Sequence, residues 1–415
     1  VGREALYLFT GWFPFGSNVE NNFLTPEIEY LAKKFKKIII IPEIIEGSQT
    51  PVPENVIVDI SCARPKNSFR ERNAYIIKGL RSVVFWREIK NHLYLIFHLK
   101  FALQIAYTVG RALKVREWVI SRIEKQKIDL DEGLFYTYWL TNAVIGIQFA
   151  KKQCPGLKVI SRAHRFDLYE YQHNLSYIPF REETLAALDL LFCISEDGKN
   201  YIDNKYPWFA SRCKVARLGV ESSGFLCRPS QDGAIRIVSC SYLVPFKRVE
   251  MILRCIKLLA SQYPDRVFEW HHLGGGPLLD DIHTQAADSP INLKCYLPGT
   301  ISAKEVLEYY RQHALDVFIN LSSSEGISVA MMEAISCGLP VVATNVGGTS
   351  EIISNANGVL LGQQPEPREV ARAIWRIVSD TEAYQVLRLR SHQIWNASYN
   401  ASINYQAFAD TLLKL

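Results

Sequence analysis

The stretch SSSEGISVAMME, residues 322–333, sets two carboxylates, Glu325 and Glu333, eight positions apart across a loop-to-helix junction. The strand-like run DVFINL ends just before it. SVAMMEAISCG has helical composition, with Gly338 as a stop and LPVVATN as the next strand. Gly326 gives the turn backbone freedom and sets the amides of Ile327, Ser328 and Val329 near the helix N-terminus. Free N–H groups and the helix dipole favour an anion there, such as a phosphate or pyrophosphate. Glu333 is then placed to accept hydrogen bonds from a ribose diol, and Glu325 to face whatever the phosphate carries. Two exposed acids at a helix start, favoured there by the dipole, fit the same spacing.

Other loops carry related chemistry. HLGGGPLLDDI places Gly274 and Gly275 between a strand and a helix, where backbone can approach a phosphate or simply turn tightly. Lys247 and Arg248 open a helix after IRIVSCSYLVPF; cations there neutralise a leaving diphosphate. A solvated helix start is the alternative, although the dipole disfavours cations at that end. LPGTIS, beginning at Leu297, offers a backbone cradle for a nucleobase. Gly347 and Gly348 read as turn formers, with Glu351 a weaker ligand candidate. In the first half, FPFGSNVE carries Gly16 at a turn and Glu20 beyond it. SRAHRFDLYEY sets His164, Arg165, Asp167 and Glu170 at a strand end, where His with Arg and Asp belongs to a site more often than a lone His does. Asp129 and Asp131 sit in a polar turn without companion ligands, so no metal is expected there.

The elements that must hold these loops alternate between short β-branched runs and longer helical patterns. ALYLF, KKIIIIP, NVIVDI, LFYTYWL, LKVISRA, DLLFCIS and CKVARLGV read as strands in the first half. IRIVSCS, VFEWHHLG, INLKCYLPG, LDVFINL and LPVVATNV do so in the second. This predicts an α/β chain with parallel sheets covered on both faces. At 415 residues one core is too small, and the Ser/Gly/Pro-rich ESSGFLCRPSQDGA, residues 221–234, is the natural break. The expected domains are 1–220, 221–395 and a C-terminal helix over 396–415 that returns to the first. Two Rossmann-like sheets would face a shared cleft beyond their strands' carboxyl ends.

Composition is that of a globular protein, 48% hydrophobic and 21% charged. Nine dispersed cysteines without a CxxC pair read as reduced core thiols of a cytosolic protein. The chain begins with Val rather than Met, which reads as a processed start, and shows no basic-then-apolar leader pattern. Net charge is +5, but residues 64–127 hold 15 Lys and Arg against 4 Asp and Glu. The apolar run inside that stretch is broken by Arg87, Glu88, Lys90 and Lys100, too often for a membrane span. Basic residues mixed with Trp, Phe, Leu and Tyr suit an anionic bilayer surface, and long packed helices with solvated basic faces suit them equally.

On these motifs the chain resembles the retaining, nucleotide-sugar-dependent family-4 glycosyltransferases of GT-B fold. Glu325 to Glu333 is similar to their E-x7-E motif, within EGISVAMMEAISCGLPVVATNVGGTSEII; YLVPFKRVEMI, HLGGGPL and CYLPG resemble their other C-terminal motifs. FPFGSNVENNFLTPEIEYLAKKF, SRAHRFDLYE and FCISEDGKNYI resemble the N-terminal halves of bacterial envelope-polysaccharide members. The resemblance implies two facing Rossmann-like domains with an interdomain cleft. The C-terminal domain would hold a UDP- or GDP-sugar and the N-terminal domain a saccharide or lipid-linked acceptor. It implies that Glu333 binds ribose, Glu325 contacts the donor sugar, Lys247 neutralises the diphosphate and His164 contacts the sugar from the other domain. Gly16 would admit the diphosphate, Tyr242, Arg248, Gly274, Gly275, Leu297 and residues 326–329 would line the donor, and Glu20, Arg165 and Asp167 the acceptor. No cofactor, metal or nucleic acid is implied, and the place is cytoplasmic, peripheral to the inner membrane face. Three positions depart from the pattern: Tyr242 stands where many members have Arg, Ser328 where Pro is frequent, and Arg165 where Gly is common. A GT-B nucleotide-sugar epimerase and an inactive glycosyltransferase-like binding subunit are the alternatives.

Overall fold

The computed structural model describes residues 4–16, 19–125 and 128–415. Residues 17–18 of the FPFGSNVE loop and 126–127 of the basic stretch lie outside the described residues. The chain divides into two units, Val1–Ala216 with Tyr405–Leu415, and Arg217–Asn404. The division precedes the Ser/Gly/Pro-rich stretch by a few residues.

The first unit contains strands β1 (Ala5–Thr10), β2 (Lys37–Pro42), β3 (Ile44–Ile45), β4 (Val56–Val58), β5 (Arg64–Pro65), β6 (Gly133–Thr137), β7 (Lys158–Ala163), β8 (Leu190–Cys193) and β9 (Cys213–Val215). Seven form a parallel sheet in the order β4-β2-β1-β6-β7-β8-β9, and β3 pairs β5 beside it. Side chains alternate across a strand. Leu6, Leu8, Ile38 and Ile40 therefore fill one core, and Tyr7, Phe9, Ile39 and Ile41 the other. Burial on both faces explains why these strands read as continuous apolar runs. The residues 396–415 are not one helix: Thr381–Ser398 and Ala401–Leu413 are separated by Tyr399 and Asn400. Phe408, Ala409 and Leu412 from the last helix complete the first unit's core. Phe408 also lies under the Arg162 guanidinium, 4.2 Å from its ring centroid, while Arg162 pairs with Glu27 in full burial.

The second unit contains β10 (Ile235–Cys240), β11 (Phe268–Leu273), β12 (Leu293–Gly299), β13 (Val317–Asn320), β14 (Val341–Thr344) and β15 (Gly358–Leu361). They form a parallel sheet in the order β12-β11-β10-β13-β14-β15. The chain first winds outward from β10 to β12, then resumes at β13 on the other side of β10. The gap between β10 and β13 is thus the topological switch point, where open α/β sheets bind ligands beyond the strands' carboxyl ends. In the first unit the same reversal falls between β1 and β6. Among the described residues no helix is long and apolar enough to cross a membrane.

Candidate functional site

Lys247 and Glu325 emerge at the second unit's switch point, one after β10 and the other after β13. Lys247 Nζ donates to Glu325 Oε1 at 2.6 Å, and Asn320 Nδ2 reaches the same oxygen at 3.3 Å. Asn320 is the last residue of β13; its Oδ1 also accepts the Ser322 N–H, so it shapes the loop that carries Glu325. Glu325 is buried, and a buried polar group needs hydrogen-bond partners of this kind. Behind it, Gly347 has φ +51°, and a Cβ there would lie 2.0 Å from the Glu325 carbonyl oxygen. The glycine pair after β14 therefore lets one loop back directly onto another, and Gly348 N–H donates to Gly326 O at 2.8 Å.

The helix Val329–Ser336 starts as the spacing predicts. Ser328 is its N-cap, accepting the Met331 N–H at 3.4 Å. Among the described residues, the N–H groups of Ile327, Ser328 and Val329 meet no protein acceptor. Glu333 sits in the second turn. Its carboxylate makes no hydrogen bond among the described residues, and burial pushes its pKa up to about 8. Its side chain retains some access to solvent, yet protein encloses it densely enough to disfavour the charge. Its neighbourhood is visible in Cys240, at the end of β10: burial and then Glu333 push that thiol up, while Lys247 pulls it down. The ammonium, the open amides and the unpartnered acid thus converge on the carboxyl end of β10.

The remaining donor candidates are placed differently from their expected roles. Gly274 has φ +145°, and its Cβ would lie 2.1 Å from Ser241 O; one on Gly275 would lie 2.2 Å from Thr300 Oγ1. The glycine run makes its close approach to the protein's own loops. Leu297 lies inside β12 and packs on the core, so the cradle read into LPGTIS is not a loop at that residue. Arg248 turns away to the Gln363 carbonyl at 2.7 Å, and Tyr242 is exposed. Glu351 pairs with Arg217 at 3.2 Å. Asp129 accepts the Asp131 N–H, a local turn.

In the first unit, two expected acceptor contacts are corrected. Glu20 is buried and accepts the N–H groups of Gly11 (2.7 Å), Trp12 and Phe13 (2.8 Å), together with Trp139 Nε1 (2.7 Å). Asp167 is buried and accepts the N–H groups of Leu140 (3.0 Å) and His164 (2.8 Å). Burial pushes its carboxyl up, but His164 and these N–H groups outweigh that and hold it below the usual range. Both acids are spent on orphan backbone donors, which burial would otherwise leave unpaired. They position loops instead of facing a ligand. His164 follows β7 with its ring against Trp139, 4.2 Å between centroids; both ring nitrogens are buried without a hydrogen-bond partner, Nδ1 being 3.6 Å from Asp167. Arg165 is half-buried beside it, and Gly16 N–H donates to Ser48 O at 3.1 Å. Beyond the ends of β1, β2 and β6 lies a cavity of about 220 Å³, walled by Trp12, Trp139 and Phe166, with Glu43, Arg111 and Asn142 as polar members. The sequence reading did not single out Asn320, Trp139 or Glu43; a polar or aromatic residue closing a strand-like run was the available signal.

Residues 228–393 match the family described as glycosyl transferases group 1. An uncharacterized glycosyltransferase, MJ1069 of Methanocaldococcus jannaschii, is 22% identical over 297 residues, 68% of this chain and 74% of that protein. The amylovoran biosynthesis glycosyltransferase AmsK of Erwinia amylovora is 25% identical over 212 residues, covering 50% of this chain and only 52% of AmsK. Among solved structures, the lipopolysaccharide outer core galactosyltransferase WaaB superposes with a TM-score of 0.67 at 12% identity, covering 99% of both chains. Anabaena Alr3699/HepE in complex with UDP gives 0.64 at 16% identity, covering 99% of this chain and 100% of that one. At such identities the structural likeness carries the fold, which is of GT-B type.

Proposed function

We propose that this chain, which carries a group 1 glycosyltransferase domain at residues 228–393, moves a hexose-type sugar from a UDP- or GDP-sugar to a saccharide acceptor with retention at the anomeric carbon. The acceptor is lipid-linked, the product a bacterial surface polysaccharide, and the basic helices between Phe69 and Glu124 keep the enzyme at the inner face of an anionic membrane. The observation that carries the reading is the constellation at the β10/β13 switch point: Lys247 on Glu325, three open amides, and Glu333 without a partner.

Each part answers one part of a nucleotide sugar. Glu333 takes the ribose diol. The open amides and Lys247 take the diphosphate, so the developing charge on the leaving group is met by a helix N-terminus and an ammonium without a divalent metal. Glu325, held beside Lys247, faces the sugar and stabilises positive charge at its anomeric carbon while the departing phosphate takes the acceptor's proton. Support for a nucleotide diphosphate comes from HepE, solved with UDP; support for a surface glycan comes from AmsK, named for amylovoran biosynthesis.

The test is a donor screen by thermal shift against UDP-, GDP- and ADP-sugars, since a ligand that binds only the native state raises its stability. Turnover of the hits follows, with and without chelator, and the product anomer is read by NMR. Inversion at the anomeric carbon, loss of turnover on chelation, or full activity in both Glu325→Ala and Glu333→Ala contradicts the reading. An epimerised sugar formed without acceptor marks an epimerase instead.

A further inference from the structure

Between β5 and β6 the first unit inserts the helices Phe69–Leu80, Val83–Asn91 and Leu99–Glu124, with a 3-10 turn at Leu93–Phe97. They build a core of their own from Phe85, Ile89, Leu95, Ile105 and Val109. Their outer surface is unusual. Among the described residues 24 large apolar side chains are well exposed, and nine of these fall between Phe69 and Leu103. The densest group surrounds the 3-10 turn: Leu93 is 61% exposed, Tyr94 44%, Phe97 87% and Leu99 70%, with Leu103 one helical turn further on. Single exposed apolar residues need no explanation, but a contiguous group marks a contact surface.

Charge identifies what covers it. Lys90 and Lys100 flank the turn in the chain, exposed and without an ion pair among the described residues. The one carboxylate between residues 81 and 103, Glu88, is buried and accepts from Tyr177 Oη and Phe180 N–H. Glu183, from outside this stretch, is partly exposed and paired with Arg87 at 3.6 Å, which leaves Lys90 and Lys100 as unpaired cations beside the apolar tip; that combination is complementary to an anionic bilayer, whose headgroups attract the cations while its hydrocarbon takes the tip.

We propose that the turn around Phe97 inserts into an anionic leaflet, with Leu93, Tyr94, Leu99 and Leu103 entering beside it and Lys90 and Lys100 held at the headgroups. This deepens the proposed function and rests on it for a lipid-linked acceptor; it replaces adsorption by charge alone with partial insertion of a defined tip. Flotation of the full chain with vesicles of phosphatidylcholine, with and without phosphatidylglycerol, tests it. Wild type is expected to bind the anionic vesicles and to keep part of that binding in high salt, since insertion is not screened. F97D, and separately L99D, should lower the bound fraction about tenfold or more, because each removes a large buried apolar side chain from the bilayer. K90E/K100E should abolish the preference for anionic lipid. Thermal unfolding of F97D is expected to match wild type, as Phe97 has little packing to lose. Absence of vesicle binding overturns the proposal, as does equal binding by F97D. So does concentration-dependent self-association of wild type that F97D abolishes, which would make a second copy the occupant. Thermal shift with UDP-, GDP- and ADP-sugars separates the two readings: its absence in wild type, with vesicle binding intact, refutes the glycosyltransferase assignment and leaves the insertion standing.

Discussion

If Glu333 accepts the ribose, nucleotide binding should strengthen as pH rises, as for any acid that binds in its ionised form, but in a window moved up to the neighbourhood of pH 8. With a pKa near 8 in the free protein, about one tenth of the molecules carry the carboxylate at pH 7 and about nine tenths at pH 9. If the ionised form is the one that accepts both ribose hydroxyls, the apparent affinity for a nucleoside diphosphate rises about tenfold between those values, or about 1.4 kcal/mol. The nucleotide's own terminal phosphate, with a pKa near about 6, contributes little in that window. Isothermal titration from pH 6.5 to 9 reads the slope, and titration in buffers of different ionisation enthalpy reads the release of nearly one proton per nucleotide at pH 7. Glu333→Gln should bind weakly and show neither effect. The same residue has the reverse effect on the free protein. Its folded pKa lies above the ordinary carboxylate value, so its contribution to stability is complete below that value and is lost as pH rises through about 8. The free wild type should therefore lose thermal stability between pH 6 and 9 relative to Glu333→Gln, and nucleotide should offset the loss. A flat affinity profile in wild type, or an equal slope in Glu333→Gln, refutes the assignment of this carboxylate to the ribose.

Three further outcomes follow from the same geometry. Lys247→Ala should weaken binding of a nucleoside diphosphate and lower turnover about 100-fold, whereas Glu325→Gln should lower turnover while leaving free nucleotide affinity within about threefold; calorimetry with steady-state rates separates them. Gly347→Ala forces a Cβ onto the Glu325 carbonyl oxygen in a left-handed conformation; a cost of about 1–3 kcal/mol and reduced turnover are expected, read by denaturant melts and donor hydrolysis. Glu27→Ala leaves Arg162 buried and unpaired in the first unit, so it should destabilise the protein by about 3–5 kcal/mol, again read by denaturant melts.

Both sheets were legible in the sequence because a parallel strand buried on two faces is a short continuous apolar run, as KKIIIIP shows. β15 escaped because its four residues GVLL begin at a glycine and close the sheet's edge, where only one side pairs. The candidate site loops of the second unit were legible because each follows a strand: Glu325 comes five residues after β13 and Lys247 seven after β10. What could not be read was where each polar group finds its partner. Lys247 and Glu325 are 78 residues apart in the chain. Glu20 and Asp167 look like free acids in a loop until the backbone N–H groups around them are counted. Gly274 and Gly275 look available to a phosphate until the approach of Ser241 and Thr300 is measured. Such pairings belong to tertiary contacts, on which spacing along the chain carries no information.

The contribution of Phe408, Ala409 and Leu412 to the first unit's core bears on how the protein can be dissected. The chain passes from the first unit to the second after residue 216 and back again after residue 404. A gene cut once at the first crossing yields one fragment with an uncovered Arg162 and an incomplete core, and another with a stray apolar helix. Exchanging the second unit between relatives therefore requires an insertion with two matched junctions, and isolated expression of the first unit requires residues 405–415 to be tethered back to residue 216.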